Sequence, residues 1–371
     1  MLYVGWMKAR PQSRLNANRH ATGTDLMKAM LLRGPNLPFQ PVELPDPVPG
    51  PGEAVARVIT CGSGLTIQHA KAGRRAIPFP RVIGHEITAE IVAVGPGVAG
   101  LEVGDAVTAY FYLNCGHCRW CLGQFEPLCP NSGGNVGLDC DGGYAEYIKL
   151  PAHVFIKLPE NLDYRKHPAE IGVVTDALAT PLKVLRRARV TPGETVAVFG
   201  AGGGVGIHQV MLAKWAHARV IAIDIAAEKF DACRKAGADE VINPHNADAA
   251  AALVELTHGE GVDVVIDYVS STSTLEAGAK ALGRRGRLVT LGGAGQPFTA
   301  LARDMLNKEQ DLLGSRYVTR TDIMAALDLV ARGEVWPLVT DVRPLAEAEA
   351  VHERVERGAV TGRAALRVTG R

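Results

Sequence analysis

The sequence predicts an α/β protein with a β-rich first part and a parallel, helix-covered sheet in its second part. Its 371 residues correspond to about two domains at roughly 150 residues each. Short β-branched runs separated by glycine and proline fill the first half, a pattern typical of strands. In the second half, six short strands alternate with helices. This alternation predicts a doubly wound parallel sheet.

The composition excludes several classes of protein. Lysine and arginine number 40 against 39 acidic residues, a formal charge of +1, so we expect no nucleic-acid partner and no anionic-membrane partner. No run approaches the ~18 apolar residues of a membrane span. Residues 1–26 lack the apolar core of a signal peptide, and we expect a disordered extension there. The cysteines cluster instead of forming a disulfide framework, which favours a cytoplasmic protein.

The domain organisation follows from where the strand-like and helical patterns lie. In the first half, strands are predicted at 54–59, 87–94 and 106–112, with no helical periodicity between residues 30 and 147. Beyond residue 320 come one more helix, at 323–332, and a strand-like segment at 364–368, which we expect to return to the first domain. The predicted domains are therefore 27–175 together with 320–371, and 176–319.

The alternating segments of the second half give the predicted sheet its order. The predicted strands are 195–200, 219–223, 240–242, 262–268, 287–291 and 311–314. The predicted helices between them are 205–216, 227–236, 248–257, 273–282 and 300–307.

A glycine-rich turn joins the first of these strands to its helix. The turn contains Gly200, Gly202, Gly203, Gly204, Val205 and Gly206, one residue longer than the usual fingerprint. Glycines there let the backbone approach a pyrophosphate at the helix N-terminus. Asp224 ends the next strand, where a carboxylate accepts hydrogen bonds from the adenosine ribose. No arginine follows it to bind a 2′-phosphate, so the sequence predicts NAD rather than NADP.

Four cysteines within one loop predict a structural zinc site. They are Cys115, Cys118, Cys121 and Cys129. Four thiolates close a tetrahedral zinc and leave no open position for substrate. This spacing is strong evidence for a metal site.

Together these motifs resemble the zinc-dependent alcohol dehydrogenase branch of the medium-chain dehydrogenase/reductase family. The resemblance extends from Met27 onward and includes Gly84-His85-Glu86 and the run from Asp141 to Glu146. It implies a GroES-like β-rich catalytic domain, a six-stranded Rossmann domain and an active site in the cleft between them. It also implies a homodimer or homotetramer paired through an edge strand near 287–291 and 301–313.

The catalytic zinc site departs from the pattern of the family. Gly64 stands where the family has its first ligand, a cysteine, and Ile67 replaces a supporting aspartate. By the resemblance, His85 and Asp176 match two ligands, and Glu86 could supply a third. Such a set would hold zinc more weakly than Cys₂His. Two alternatives stay open: a catalytic metal on these three residues, or three hydrogen-bonded polar residues without a metal.

The resemblance assigns further residues to proton transfer and to the cofactor. Thr66 and His69 match the relay that carries the alcohol proton to solvent. Contacts with the cofactor are implied for Thr180, Leu291, Gly292, Lys229 and Arg320, the last at the pyrophosphate.

These residues predict an NAD-dependent alcohol dehydrogenase or carbonyl reductase acting on a small molecule. One alternative is a reductase of an activated C=C or C=N bond that needs no catalytic zinc. Another is an NAD-binding protein without turnover, which the Thr66–His69 pair disfavours.

Overall fold

The computed structural model describes residues 25–293 and 295–369. The expected extension at 1–26 lies outside the described residues except for its last two, and Leu26 begins the first strand. Within the described residues, no helix has the length and apolar character needed to cross a membrane.

The first part of the chain is mainly β-structure. Its elements are β1 (Leu26–Leu32), β2 (Gln40–Pro45), β3 (Glu53–Ser63), α1 (Leu65–Lys71), β4 (Arg81–Val82), β5 (Glu86–Val94), β6 (Ala106–Ala109), α2 (Arg119–Leu122), β7 (Tyr147–Pro151) and β8 (Phe155–Lys157). β3 is the central strand, because it pairs with β5 and β7 and is buried along most of its length.

The middle of the chain alternates helix and strand. Its elements are α3 (Pro168–Val173), α4 (Ala179–Ala188), β9 (Thr195–Phe199), α5 (Gly206–Trp215), β10 (Arg219–Ile223), α6 (Phe230–Lys235), β11 (Glu240–Ile242), α7 (Ala249–Leu256), β12 (Val262–Asp267), α8 (Thr272–Ala281), β13 (Leu282–Thr290), α9 (Ala302–Lys308) and β14 (Asp311–Gly314). The six strands form one parallel sheet in the order β11-β10-β9-β12-β13-β14. This confirms the predicted parallel, doubly wound architecture.

The last part of the chain returns to the first sheet. It contains α10 (Arg320–Ala331), β15 (Val339–Pro344), α11 (Ala348–Glu356) and β16 (Arg363–Arg367). β16 pairs antiparallel with β3, which makes the sheet order β15-β16-β3-β5-β6-β8, with β7 also on β3. A residue at the start of β16 is thereby brought beside the end of β3 and the start of β5.

Two expectations differ from the structure. The first half does contain two α-helices, α1 and α2, whose seven and four residues are too few for a periodic pattern to show. The strand at 287–291 is not an edge, because β13 lies between β12 and β14. The edge of the sheet on that side is β14.

Candidate active site

Three predicted site residues meet where β5 begins. His85 precedes β5 and Glu86 is its first residue. Asp176 lies in a π-helical turn, Val174–Leu178, inserted between α3 and α4. Such π-helical turns are frequent at functional sites. All three side chains are buried, with 2%, 1% and 5% of their surface exposed, in that order.

A fourth residue, Arg363 at the start of β16, lies between the two carboxylates. Its Nε donates to both oxygens of Glu86 at 3.1 Å, and its Nη2 donates to Glu86 Oε1 at 2.7 Å. The same Nη2 donates to Asp176 Oδ2 at 2.8 Å. The remaining carboxylate oxygen, Asp176 Oδ1, accepts from the Thr180 hydroxyl at 2.9 Å. All four carboxylate oxygens therefore have a donor from the protein.

The charges of this cluster are set by burial and by mutual attraction. Burial raises the pKa of Glu86 above its ordinary value, although Arg363 opposes that change. Burial also acts to raise the pKa of Asp176, but His85 and Arg363 outweigh it and lower the pKa to about 2. Burial alone would lower the pKa of Arg363, yet Glu86 and Asp176 raise it. The guanidinium is thus charged across the working pH range.

The imidazole of His85 has unused hydrogen-bonding capacity. The ring packs against Phe111, with ring centroids 4.6 Å apart. Its Nε2 lies 3.7 Å from Oδ2 of Asp176. Within the described residues neither ring nitrogen has a hydrogen-bond partner. Because buried polar atoms are normally paired, this imidazole is available to a ligand.

The arrangement does not fit a catalytic zinc on His85, Glu86 and Asp176, because the carboxylate oxygens are already engaged. Zinc needs carboxylate oxygens at about 2.0–2.2 Å, and every one of these oxygens already accepts from Arg363 or Thr180. Among the described residues, only the four cysteines lie close enough together to hold a metal ion. Of the three polar residues in the alternative without a metal, Glu86 and Asp176 are hydrogen-bonded here and His85 is not.

The predicted relay residues lie on α1, which begins directly after Gly64, beside Arg363. Thr66 is half-buried and His69 is exposed, one turn apart. Burial, and next Arg74, lowers the pKa of His69. Within the described residues, neither side chain hydrogen-bonds the other or the buried cluster, so their role in proton transfer stays a prediction.

The glycine-rich turn has the shape of a phosphate-binding loop. Gly200 has a φ of +73°, which favours glycine. A Cβ on Gly206 would lie 2.0 Å from the Gly200 carbonyl oxygen, so the turn closes only without a side chain there. Gly202, Gly203, Gly204 and Val205 complete the turn, and α5 begins at Gly206. The backbone thus leads directly into a helix N-terminus, which suits a pyrophosphate.

Asp224 and Lys229 both adjoin this turn. Asp224 follows β10, and its Oδ2 accepts from the Gly202 N–H at 2.8 Å. Lys229 is buried, and its Cδ would lie 2.7 Å from a Cβ on Gly202. The predicted ribose-binding acid and lysine are therefore brought to the same loop.

The remaining predicted cofactor residues divide into two groups. Thr180 is bound to Asp176, and Leu291 and Gly292 follow β13 at the carboxyl end of the parallel sheet. Arg320 contacts the first part of the chain in this structure, and its predicted contact with a pyrophosphate stays a prediction. Its Nη1 donates to the His153 carbonyl, and its guanidinium lies over Tyr110, 5.7 Å from the ring centroid.

The cysteine lobe has the geometry of a closed zinc site. Neighbouring sulfurs are 3.5–3.9 Å apart around Cys115, Cys121, Cys118 and Cys129. Four sulfurs bound at about 2.3 Å to a tetrahedral zinc lie about 3.8 Å from one another. A backbone hydrogen bond from His117 lowers the pKa of Cys115 to about 6, whereas burial raises that of Cys121 to about 11. The spacing fits structural zinc.

Comparison with known proteins identifies the family. An alcohol dehydrogenase GroES-like domain matches residues 50–160, and a zinc-binding dehydrogenase domain matches residues 204–332. An alcohol dehydrogenase of Geobacillus stearothermophilus is 34% identical over 345 residues, 92% of this chain and 100% of that protein. The chain belongs to the zinc-type alcohol dehydrogenase branch of the medium-chain dehydrogenase/reductase family.

Other members of the family give the same result. The crystal structure of the alcohol dehydrogenase from Aeropyrum pernix is similar with a TM-score of 0.84 and 32% identity, covering 91% of this chain and 99% of that one. An L-threonine 3-dehydrogenase of Pyrococcus furiosus is 32% identical over 275 residues, 72% of this chain and 76% of that protein. This medium-chain family member is accordingly a dehydrogenase or reductase.

Sequence reasoning missed Arg363 in this dehydrogenase. The residue stands in Thr361-Gly362-Arg363, just before an apolar strand, and resembles an ordinary surface charge at a strand end. One signal was available. Gly64, without a side chain where a ligand was expected, indicates that some other group fills the space.

Proposed function

We propose that this protein is an NAD(H)-dependent alcohol dehydrogenase or carbonyl reductase. The observation that carries the proposal is the joint placement of the glycine-rich turn and Asp224. The Asp224 carboxylate lies beside Gly202, at the end of the strand next to β9. In that position it would accept hydrogen bonds from a ribose and repel a 2′-phosphate.

A bound nicotinamide supplies the hydride chemistry. The chain's own residues bind and orient the cofactor and place charge near the reacting oxygen. In the reductive direction, a hydride passes to the carbonyl carbon while a proton is added to the oxygen, giving the alcohol. His85 is a buried group with a free ring nitrogen, and we assign it to the substrate oxygen.

The experiment compares kcat/KM for NADH and NADPH in the native protein and in Asp224→Asn. Asparagine keeps a side-chain oxygen that can accept from the Gly202 N–H but removes the negative charge. We expect native NADH to be preferred and the preference to fall by about tenfold, the equivalent of about 1.4 kcal/mol. Asp231→Asn, an exposed acid on α6, is the matched control. Equal kcat/KM for both cofactors in the native protein would contradict the proposal.

The absence of a cysteine at Gly64 favours a second candidate, the reduction of an activated C=C or C=N bond. Such substrates carry their own electron sink and need less activation of an oxygen. Offering an α,β-unsaturated ketone with NADH distinguishes the two functions in one assay. An allylic alcohol as product indicates carbonyl reduction, and a saturated ketone indicates C=C reduction.

A further inference from the structure

We propose that the guanidinium of Arg363 takes the place of the catalytic metal in this dehydrogenase. The proposal rests on the geometry around Glu86 and Asp176. By the resemblance to the family, these two residues stand where side chains would hold a catalytic metal ion. Arg363 makes four hydrogen bonds to these two carboxylates, at 2.7–3.1 Å, and is 5% exposed. A zinc ion would have to displace a buried, fully charged group from both acids.

Gly64 is the complement of this arginine. A Cβ on Gly64 would lie 2.6 Å from Cζ of Arg363 and 2.7 Å from both of its terminal nitrogens. These distances are far inside van der Waals contact, so a cysteine at position 64 would force the guanidinium to shift from its present place. The missing side chain at position 64 and the present place of the arginine are therefore linked by the space that they share.

The guanidinium also reaches the cofactor domain. A Cβ on Gly204, in the glycine-rich turn, would lie 2.6 Å from Nη1 of Arg363. Within the described residues, Nη1 donates no hydrogen bond, whereas Nε and Nη2 are both used. The unused N–H groups of Nη1 thus lie in the space between Gly64 and Gly204. There they can donate to an oxygen of a bound molecule.

The chemical consequence depends on the proposed function. As a hydride and its electron pair reach a carbonyl carbon, negative charge develops on the oxygen, and a fixed cation stabilises that charge. Arginine donates hydrogen bonds but is not deprotonated in proteins, so the proton added to the oxygen must come from another group or from solvent. Arg363 would supply charge and orientation, which a metal supplies in other members.

Counting metal ions tests the proposal without reference to turnover. The native full-length protein, purified without added metal and then incubated with Zn²⁺ and desalted, is analysed by plasma mass spectrometry. We expect about one zinc per chain in the native protein and in Gly64→Cys, because Arg363 still engages the two carboxylates that a second zinc would need. The double variant Gly64→Cys/Arg363→Ala should hold about two. Arg367→Ala with Gly64→Cys, which removes an exposed arginine from the same strand, is the matched control and should stay near one.

Two results would overturn the proposal: about two zinc ions per chain in the native protein, or equal zinc uptake by Gly64→Cys and by the double variant. If the double variant fails to fold, titration of the native protein with Co²⁺ decides. The cysteine lobe already holds zinc, so the absence of new visible absorption bands supports the proposal, and bands that saturate at about one Co²⁺ per chain contradict it. Failure of the proposed function would appear instead as no NAD(H)-dependent turnover with an unchanged metal count.

Discussion

Replacing Arg363 with methionine should destabilise the protein strongly and in a pH-dependent way. Methionine fills much of the volume of the arginine stem but offers no charge and no donor. The substitution removes four hydrogen bonds from Glu86 and Asp176, which are 1% and 5% exposed. Two buried carboxylates are then left without their counter-ion.

The expected loss in the free energy of unfolding follows from the cost of removing one partner of a buried ion pair. Removing one partner typically costs 3–5 kcal/mol, since the other charge remains buried and unpaired. We therefore expect the free energy of unfolding to fall by about 3–5 kcal/mol at neutral pH. Arg367→Met removes an exposed arginine from the same strand and should change it by less than about 0.5 kcal/mol.

The pH dependence has a definite sign. In the native protein the pKa of Asp176 is about 2, below the ordinary value of about 3.9. Its contribution to stability is present above the ordinary value and is lost as the pH falls toward 2. Burial already raises the pKa of Glu86 and Arg363 opposes that change, so without the guanidinium the pKa of Glu86 rises further and the variant loses stability as the pH rises. The difference between native protein and variant should thus be smallest near pH 4 and largest at neutral pH.

Urea denaturation followed by far-UV circular dichroism, at pH 4.5 and 7.5 on zinc-loaded protein, measures this difference. A loss below about 1 kcal/mol at pH 7.5, or a loss that does not shrink at pH 4.5, would refute the ion-pair reasoning. Either result would mean that Glu86 and Asp176 do not depend on Arg363 for their charge.

Three further predictions concern other parts of the molecule. Cys118→Ser should lower the zinc content by about one per chain and lower the melting temperature, because a closed thiolate site contributes folding energy; unchanged zinc would contradict the site. Tyr144→Phe removes a buried hydroxyl that bonds Ser63 and His352 and should cost about 1–3 kcal/mol of unfolding free energy, which urea denaturation will show. Light scattering should give a dimer or tetramer paired through the β14 edge, and a mass of 39.4 kDa at micromolar concentration would exclude assembly.

Local chemistry determined much of what could be predicted. The alternation of strands and helices was visible because each element carries its own periodicity, and β10, β11 and β14 begin and end where the sequence predicts. The cysteine lobe was also predictable from local sequence, because its four cysteines lie close together along the chain. Position-specific glycines, such as Gly206, marked the turn because no other residue fits there.

The charge at the active site was decided only by the tertiary structure. Arg363 lies 277 residues from Glu86 and 187 from Asp176 along the chain, and no local pattern links residues so far apart. The link exists because β16 returns to pair with β3, which ends at the side of Gly64. Sequence alone showed that the site had lost a ligand. Which group fills the space beside Gly64 depends on the pairing of β16 with β3 and on the length of the Arg363 side chain. Only the folded chain brings that guanidinium to Glu86 and Asp176.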